Sequence, residues 1–185
     1  MMYQIYEITR VLSIMTMIGQ VIAMVTVIGF LFFRRSSFFW DRISKHAFFL
    51  AFVVAAVSTL GSLFFSEIAE YTPCKLCWFQ RVFMYPLSLF YLLAFLRYKQ
   101  SKLAEWYGMV MCSFGGVIAT YHYFIQMTTP QDIAALTPCT VGGVSCTQYE
   151  ILHFGYITIP LMALTGFVLI FLLMVIRKRF PSSAS

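Results

Sequence analysis

Five apolar runs, each close to the length of a bilayer-crossing helix, leave this chain very few folds. They lie near residues 11–33, 46–66, 78–97, 105–126 and 155–176. A helix needs roughly 20 predominantly apolar residues to cross the hydrocarbon core. Each run must be helical, because an isolated strand would leave backbone groups unpaired in lipid. A soluble fold is excluded on surface chemistry. Ordinary globular chains are about one quarter charged, whereas here 11% of 185 residues are charged and 61% are hydrophobic. With mean hydropathy at +0.82, the excess apolar surface requires lipid as solvent. The predicted fold is an all-α membrane protein.

The formal charge of +6 does not point to nucleic acid. Ten of the thirteen bases fall in three clusters beside apolar runs: Arg34, Arg35, Arg42 and Lys45; Arg97, Lys99 and Lys102; Arg177, Lys178 and Arg179. Short basic loops resist translocation, and no nucleic-acid motif accompanies them. Placing the clusters in the cytoplasm puts the N-terminus and the 67–77 and 127–154 connections outside, and the C-terminus inside. The first run is long for a signal-peptide core, lacks a small-x-small site and is followed by Arg34 and Arg35, so it reads as a retained helix.

Four of the five cysteines fall on the outer side: Cys74 and Cys77, then Cys139 and Cys146. Cys112 lies in the fourth run beside Ser113, Gly115 and Gly116, where small residues permit close helix approach; it reads as packing. The outer pairs admit three readings: structural disulfides, a zinc site of four thiolates, or redox-active thiols. The stretch Y-T-P-C-K-L-C-W-F-Q-R, Tyr71 to Arg81, favours the last for the first pair. C-x-x-C at a helix N-terminus meets unpaired amide N–H groups and the positive end of the macrodipole, which stabilise a thiolate. At about 100° per residue, Cys77 lies roughly 60° and Arg81 roughly 20° from Cys74, with Tyr85 and Ser88 continuing the stripe. An ionisable residue inside a span is costly and usually functional, although an arginine near a helix end also snorkels. In the fourth run His122 and Gln126, four apart, share a face near the outer end. Asp132, Glu150 and His153 read as solvated loop residues.

Two thiol pairs on one side can pass electrons by thiol–disulfide exchange. With no haem or flavin motif, an acceptor within the bilayer is needed, and a lipid-soluble quinone approaching Cys77, its oxygens facing Arg81, meets that need. The opposed readings are a non-catalytic membrane scaffold with stapling disulfides and a conduit carrying reductant outward.

The runs C-K-L-C-W-F-Q-R-V-F-M-Y-P, Y-H-Y-F-I-Q, P-C-T-V-G-G-V-S-C and F-G-Y-I-T-I-P-L-M-A-L-T-G-F closely resemble the DsbB family of disulfide-bond formation proteins, and most of all its short-loop, BdbC-type branch. The resemblance covers about residues 46–176. It implies a four-helix transmembrane bundle preceded by an additional N-terminal helix: 1–45 for the extra helix and basic loop, 46–176 for the bundle with both cysteine loops, and 177–185 for a tail. It also implies a thiol:quinone oxidoreductase of the bacterial plasma membrane. Such an enzyme reoxidises a thioredoxin-like thiol oxidase of DsbA or BdbD type and reduces ubiquinone or menaquinone. By motif, Cys77 would face the quinone and Cys74 would exchange with the second loop. Cys139 would take the partner's attack, and Cys146 would form the transient disulfide with Cys74. Arg81 matches the quinone-side arginine, and His122 and Gln126 correspond more loosely to polar quinone-site residues. The first span is extra to the family pattern.

Overall fold

The computed structural model describes residues 2–32, 37–96, 102–130 and 145–180. Five helices of membrane length account for most of them: α1 (Met2–Phe32), α2 (Ser37–Leu63), α3 (Lys75–Leu96), α4 (Lys102–Thr128) and α5 (Ile159–Arg179). There is no strand among the described residues, only an isolated bridge between His153 and Ile157. The expected all-helical membrane architecture is what the chain adopts. All five expected spans are present; α1 to α4 begin earlier than the apolar runs, by up to two or three turns, whereas α5 begins four residues later, after the His153–Ile157 turn. α2 starts at Ser37 because its first turn is amphipathic: Trp40 is buried, stacked on Phe180 and set edge-on to Phe30. Those rings join α1, α2 and α5 at the basic end.

Small and large residues alternate across the helix seams and fix how the bundle closes. α2, α3, α4 and α5 form a ring, and α1 lies against α5 outside it. Ala47, Ala51 and Ala55 line the inner face of α2 with no exposed surface, facing Leu87, Tyr91, Phe167 and Met174. A methyl group on Gly115 would run into the Phe167 ring, and one on Gly108 would overlap the Tyr91 hydroxyl. α4 therefore approaches its neighbours only because those positions carry no side chain. Cys112 is buried in this core, as its small neighbours suggested. The outer faces are apolar in the opposite sense: Val117, Leu60 and Phe124 are each more than 60% exposed, which only lipid accommodates.

Arg177, read from sequence as one of a basic cluster, folds inward. Its guanidinium pairs with Glu105 at 3.3 Å, donates to Ser44 O at 2.8 Å and lies 4.1 Å above the Phe48 ring. It ties α5 to both α4 and α2.

At the cysteine end α2 widens into a π-helical turn, Phe64–Ile68, and then reverses through Glu70 at φ 57°. The reversal returns the chain at Pro73 to start α3. The segment after α4 re-enters the described residues at Ser145 and makes a tight turn over His153–Ile157, with Phe154 and Gly155 at positive φ. It then enters α5 with Pro160 in the first turn.

Candidate functional site

The first turn of α3 brings the two thiols together. Cys74 is the N-cap: its carbonyl accepts from Trp78 N at 3.1 Å, and its Sγ accepts from Cys77 N at 3.5 Å. An N-cap side chain receiving an amide three residues on is the usual remedy for a helix's unpaired N–H groups; here sulfur does it. The Cys74 thiol also donates to Cys77 Sγ at 3.4 Å. That bond, and then burial, push the Cys74 pKa up to about 12, while the nearby His122 imidazole pulls it down. In the dithiol state the proton stays on Cys74, and Cys77, deeper along α3 and one turn from Arg81, is the acceptor.

His122 is fully buried and holds the pieces in register. Gln80 places its amide nitrogen 3.0 Å from Nδ1. An amide N–H donated there leaves Nδ1 as acceptor and puts the ring proton on Nε2. Nε2 lies 3.1 Å from Cys146 O and 3.6 Å from Cys74 Sγ. One N–H thus spans both loops. A turn further on, Gln126 Nε2 donates to Gln148 O at 3.0 Å. The two α4 side chains that share a face in the sequence both grip the backbone of the second cysteine loop, two residues apart.

Arg81 faces an apolar cavity of about 270 Å³, shared with Cys74, Cys77, Tyr85, His122 and Gln126. Its Nη2 donates to Ser62 O at 3.1 Å and its guanidinium lies 5.3 Å from the Trp78 ring, while buried Nε has no hydrogen-bond partner among the described residues. No carboxylate pairs with it among the described residues. A cation held so, with its charge unneutralised, draws electron-rich oxygen. Tyr85 donates to Ser62 Oγ at 3.3 Å. Ser88 is not among the residues lining the cavity, and its hydroxyl donates back to Tyr85 O at 2.8 Å.

Of the seven residues singled out in the sequence, six converge: Cys74, Cys77, Arg81, His122, Gln126 and Cys146. Cys139 lies outside the described residues, as does Asp132. His122 and Arg81 line the same cavity, and the hydrogen bonds of His122 run to Cys74, Gln80 and Cys146. Gln80 and Ser62 escaped the sequence reading. An amide beside Arg81 inside a span was a visible signal for Gln80, whereas Ser62 acts through its carbonyl, which any residue carries. His153, expected to be solvated, is partly buried and bonds Thr9 Oγ1 at 3.1 Å. Ligand atoms of Cys74, Cys77 and His122 all lie within 4.8 Å of one another, so this trio could also grip a soft metal ion.

Five membrane-length helices with a buried dithiol at one end define a multi-pass membrane protein equipped for thiol chemistry. Residues 44–177 match the model of the family described as "Disulfide bond formation protein DsbB", and the chain belongs to that family. It is 39% identical over 130 residues to the SPbeta prophage-derived disulfide bond formation protein B of Bacillus subtilis, covering 70% of this chain and 84% of that one. It is likewise 39% identical to disulfide bond formation protein C of the same organism, over 70% of this chain and 91% of the relative. A probable disulfide formation protein C 1 of Bacillus anthracis is 40% identical, over 70% and 90%. No solved structure matches. The family gives the chain an oxidoreductase role in disulfide-bond formation; α1 lies outside the matched region.

Proposed function

We propose that the protein is a thiol:quinone oxidoreductase that reoxidises a thioredoxin-like thiol oxidase of DsbA or BdbD type and delivers the electrons to ubiquinone or menaquinone. The observation that carries this reading is the Arg81 guanidinium, in no ion pair among the described residues, sharing a largely apolar cavity with Cys77. A structural disulfide has no use for that cation, and a metal centre would be disfavoured beside it.

The net reaction converts two thiols of the partner and one quinone into a partner disulfide and one quinol. The partner's first thiolate attacks Cys139 of a Cys139–Cys146 disulfide and releases Cys146 as thiolate; the partner's second thiolate then breaks the mixed disulfide, so the partner leaves with its disulfide and the pair is left reduced. Cys146 then attacks Cys74 of a Cys74–Cys77 disulfide, and Cys77 departs as thiolate. His122 serves this step by position, since its N–H to Cys146 O holds the attacking residue beside Cys74. Cys139 next closes on Cys146 and expels Cys74, whose developing charge meets the His122 N–H and the Cys77 amide. The quinone supplies a two-electron, two-proton acceptor. Arg81 stabilises charge on its oxygens, and Cys77 faces it as Cys74 and Cys77 rejoin. Both cysteine loops then lie outside the plasma membrane and the basic end lies in the cytoplasm, where the positive-inside rule places it.

The test is turnover of protein purified in lipid, supplied with a reduced thioredoxin-like oxidase and each quinone class, with quinone absorbance followed. Loss of quinone that disappears on replacing any of Cys74, Cys77, Cys139 or Cys146 by Ser, and that persists in chelator, is the expected result. Inert cysteines with every partner and quinone would return them to staples, and loss of activity in chelator would favour the metal trio.

A further inference from the structure

α1 is outside the family region, and its sequence gives no reason for its presence. Its packing does. The face buried against the bundle is a run of small residues, Thr9, Ser13, Thr16 and Gly19. The three hydroxyls donate to carbonyls within α1 itself, at 2.8 Å each. A methyl group on Gly19 would meet Thr165 and Leu169 of α5 at 3.1 and 3.2 Å. Polar ties, Thr9 to His153 and Gln20 to Tyr156, fix α1 to the turn that precedes α5.

Against α2 the fit is different. The two helices meet near their ends, Leu12 on Gly61 and Gly29 on Trp40. Between those points the Arg81 cavity intervenes, walled by Met15, Thr16 and Gly19 on one side and Val53, Val57 and Ser58 on the other. Thr16 satisfies its own hydroxyl, so apart from Ser58 this reach of the cavity is apolar, in contrast to the Arg81, Tyr85 and Ser62 end. Met15 and Val53 line the cavity yet are 46% and 38% exposed. They mark its mouth. A site of about 270 Å³ is near the low end of the roughly 300–1,000 Å³ of small-molecule pockets, enough for a ring and the first units of a chain.

We propose that α1 is the outer wall of a tail channel: the aliphatic chain of the membrane quinone leaves the Arg81 site between α1 and α2 and passes Met15 and Val53 into the bilayer. This rests on the quinone reading of the site. α1 thereby selects for carriers with a long apolar tail, because a tail packed against it gains burial that a bare ring lacks.

The full chain in lipid nanodiscs, irradiated with a quinone bearing a diazirine on its alkyl tail and mapped by mass spectrometry, tests this. Expected are adducts on α1 between Leu12 and Gly19 and on α2 between Val53 and Val57, suppressed by excess untagged quinone. Suppressible adducts confined to other helices would overturn the channel and leave the quinone reading standing; no suppressible adduct anywhere would overturn both. Equilibrium binding gives a second measure. Met15→Trp with Val53→Trp, at half-exposed positions, should weaken a decyl-tailed quinone at least five-fold relative to a tail-less ring. An unchanged ratio would overturn the channel.

Discussion

At the residue scale the chemistry rests on which sulfur keeps the proton. The hydrogen bond from Cys74 to Cys77 is the larger reason that Cys74 is pushed up to about 12, with burial second. A raised thiol pKa means the neutral form dominates at physiological pH, and the thiolate is the form that reacts. Modification of Cys74 in the reduced protein by a small methanethiosulfonate should therefore keep accelerating with pH well beyond the ordinary thiol range. In Cys77→Ala the acceptor is gone, so the pKa falls and the rate at pH 8 should rise several-fold, read by peptide mass spectrometry. An unchanged rate would show that the bond to Cys77 does not hold the proton. The sequence made the cysteines, Arg81, His122 and Gln126 legible because thiols, a cation and polar groups stand out within apolar runs. It could not show that His122 serves the second loop, because that contact is made through the carbonyl of Cys146, and backbone atoms carry no sequence signal.

At the scale of elements, α4 owes its place to missing side chains. Gly115 and Gly116 are neighbours on one helix, so a change at either carries a similar propensity term. They face different surroundings: a methyl group at 115 would enter the buried Phe167 ring, whereas at 116 its nearest neighbour is Phe167 Cβ at an ordinary 3.9 Å. Overpacking costs about 1–3 kcal/mol, and each kcal/mol shifts Tm by roughly 2–4 °C in a chain of this size. Gly115→Ala should lower the melting temperature in detergent by several degrees and Gly116→Ala should leave it within a degree or two; equal shifts would mean the α4–α5 seam is looser than described. The existence of all five helices was readable from length and hydropathy. The early starts of α1 to α4 were not, since Trp40 earns its helical turn only by packing on Phe30 and Phe180, partners distant in sequence.

For the whole molecule, the two ends divide the work. The basic end is locked by Arg177, Glu105 and Ser44, and the cysteine end keeps a cavity, a dithiol and a loop held by two α4 side chains. The number of spans followed from the sequence, and the four-helix bundle with an extra N-terminal helix from the family resemblance; the packing of α1 on α5 did not, because seams between lipid-exposed helices are set by small-residue contacts rather than by an apolar stripe. The central claim is that Cys74 and Cys77 are the pair that gives electrons to a quinone. The most direct measurement is a single turnover without partner: fully reduced Cys139→Ser, Cys146→Ser protein, whose second pair cannot draw off the new disulfide, held in nanodiscs and mixed anaerobically with one equivalent of quinone, with quinol counted by absorbance and disulfides by peptide mapping. The account predicts one quinol per protein and a Cys74–Cys77 disulfide, with neither formed in Cys77→Ala. Quinone left unreduced, or quinol formed while Cys74 and Cys77 both remain thiols, would contradict it.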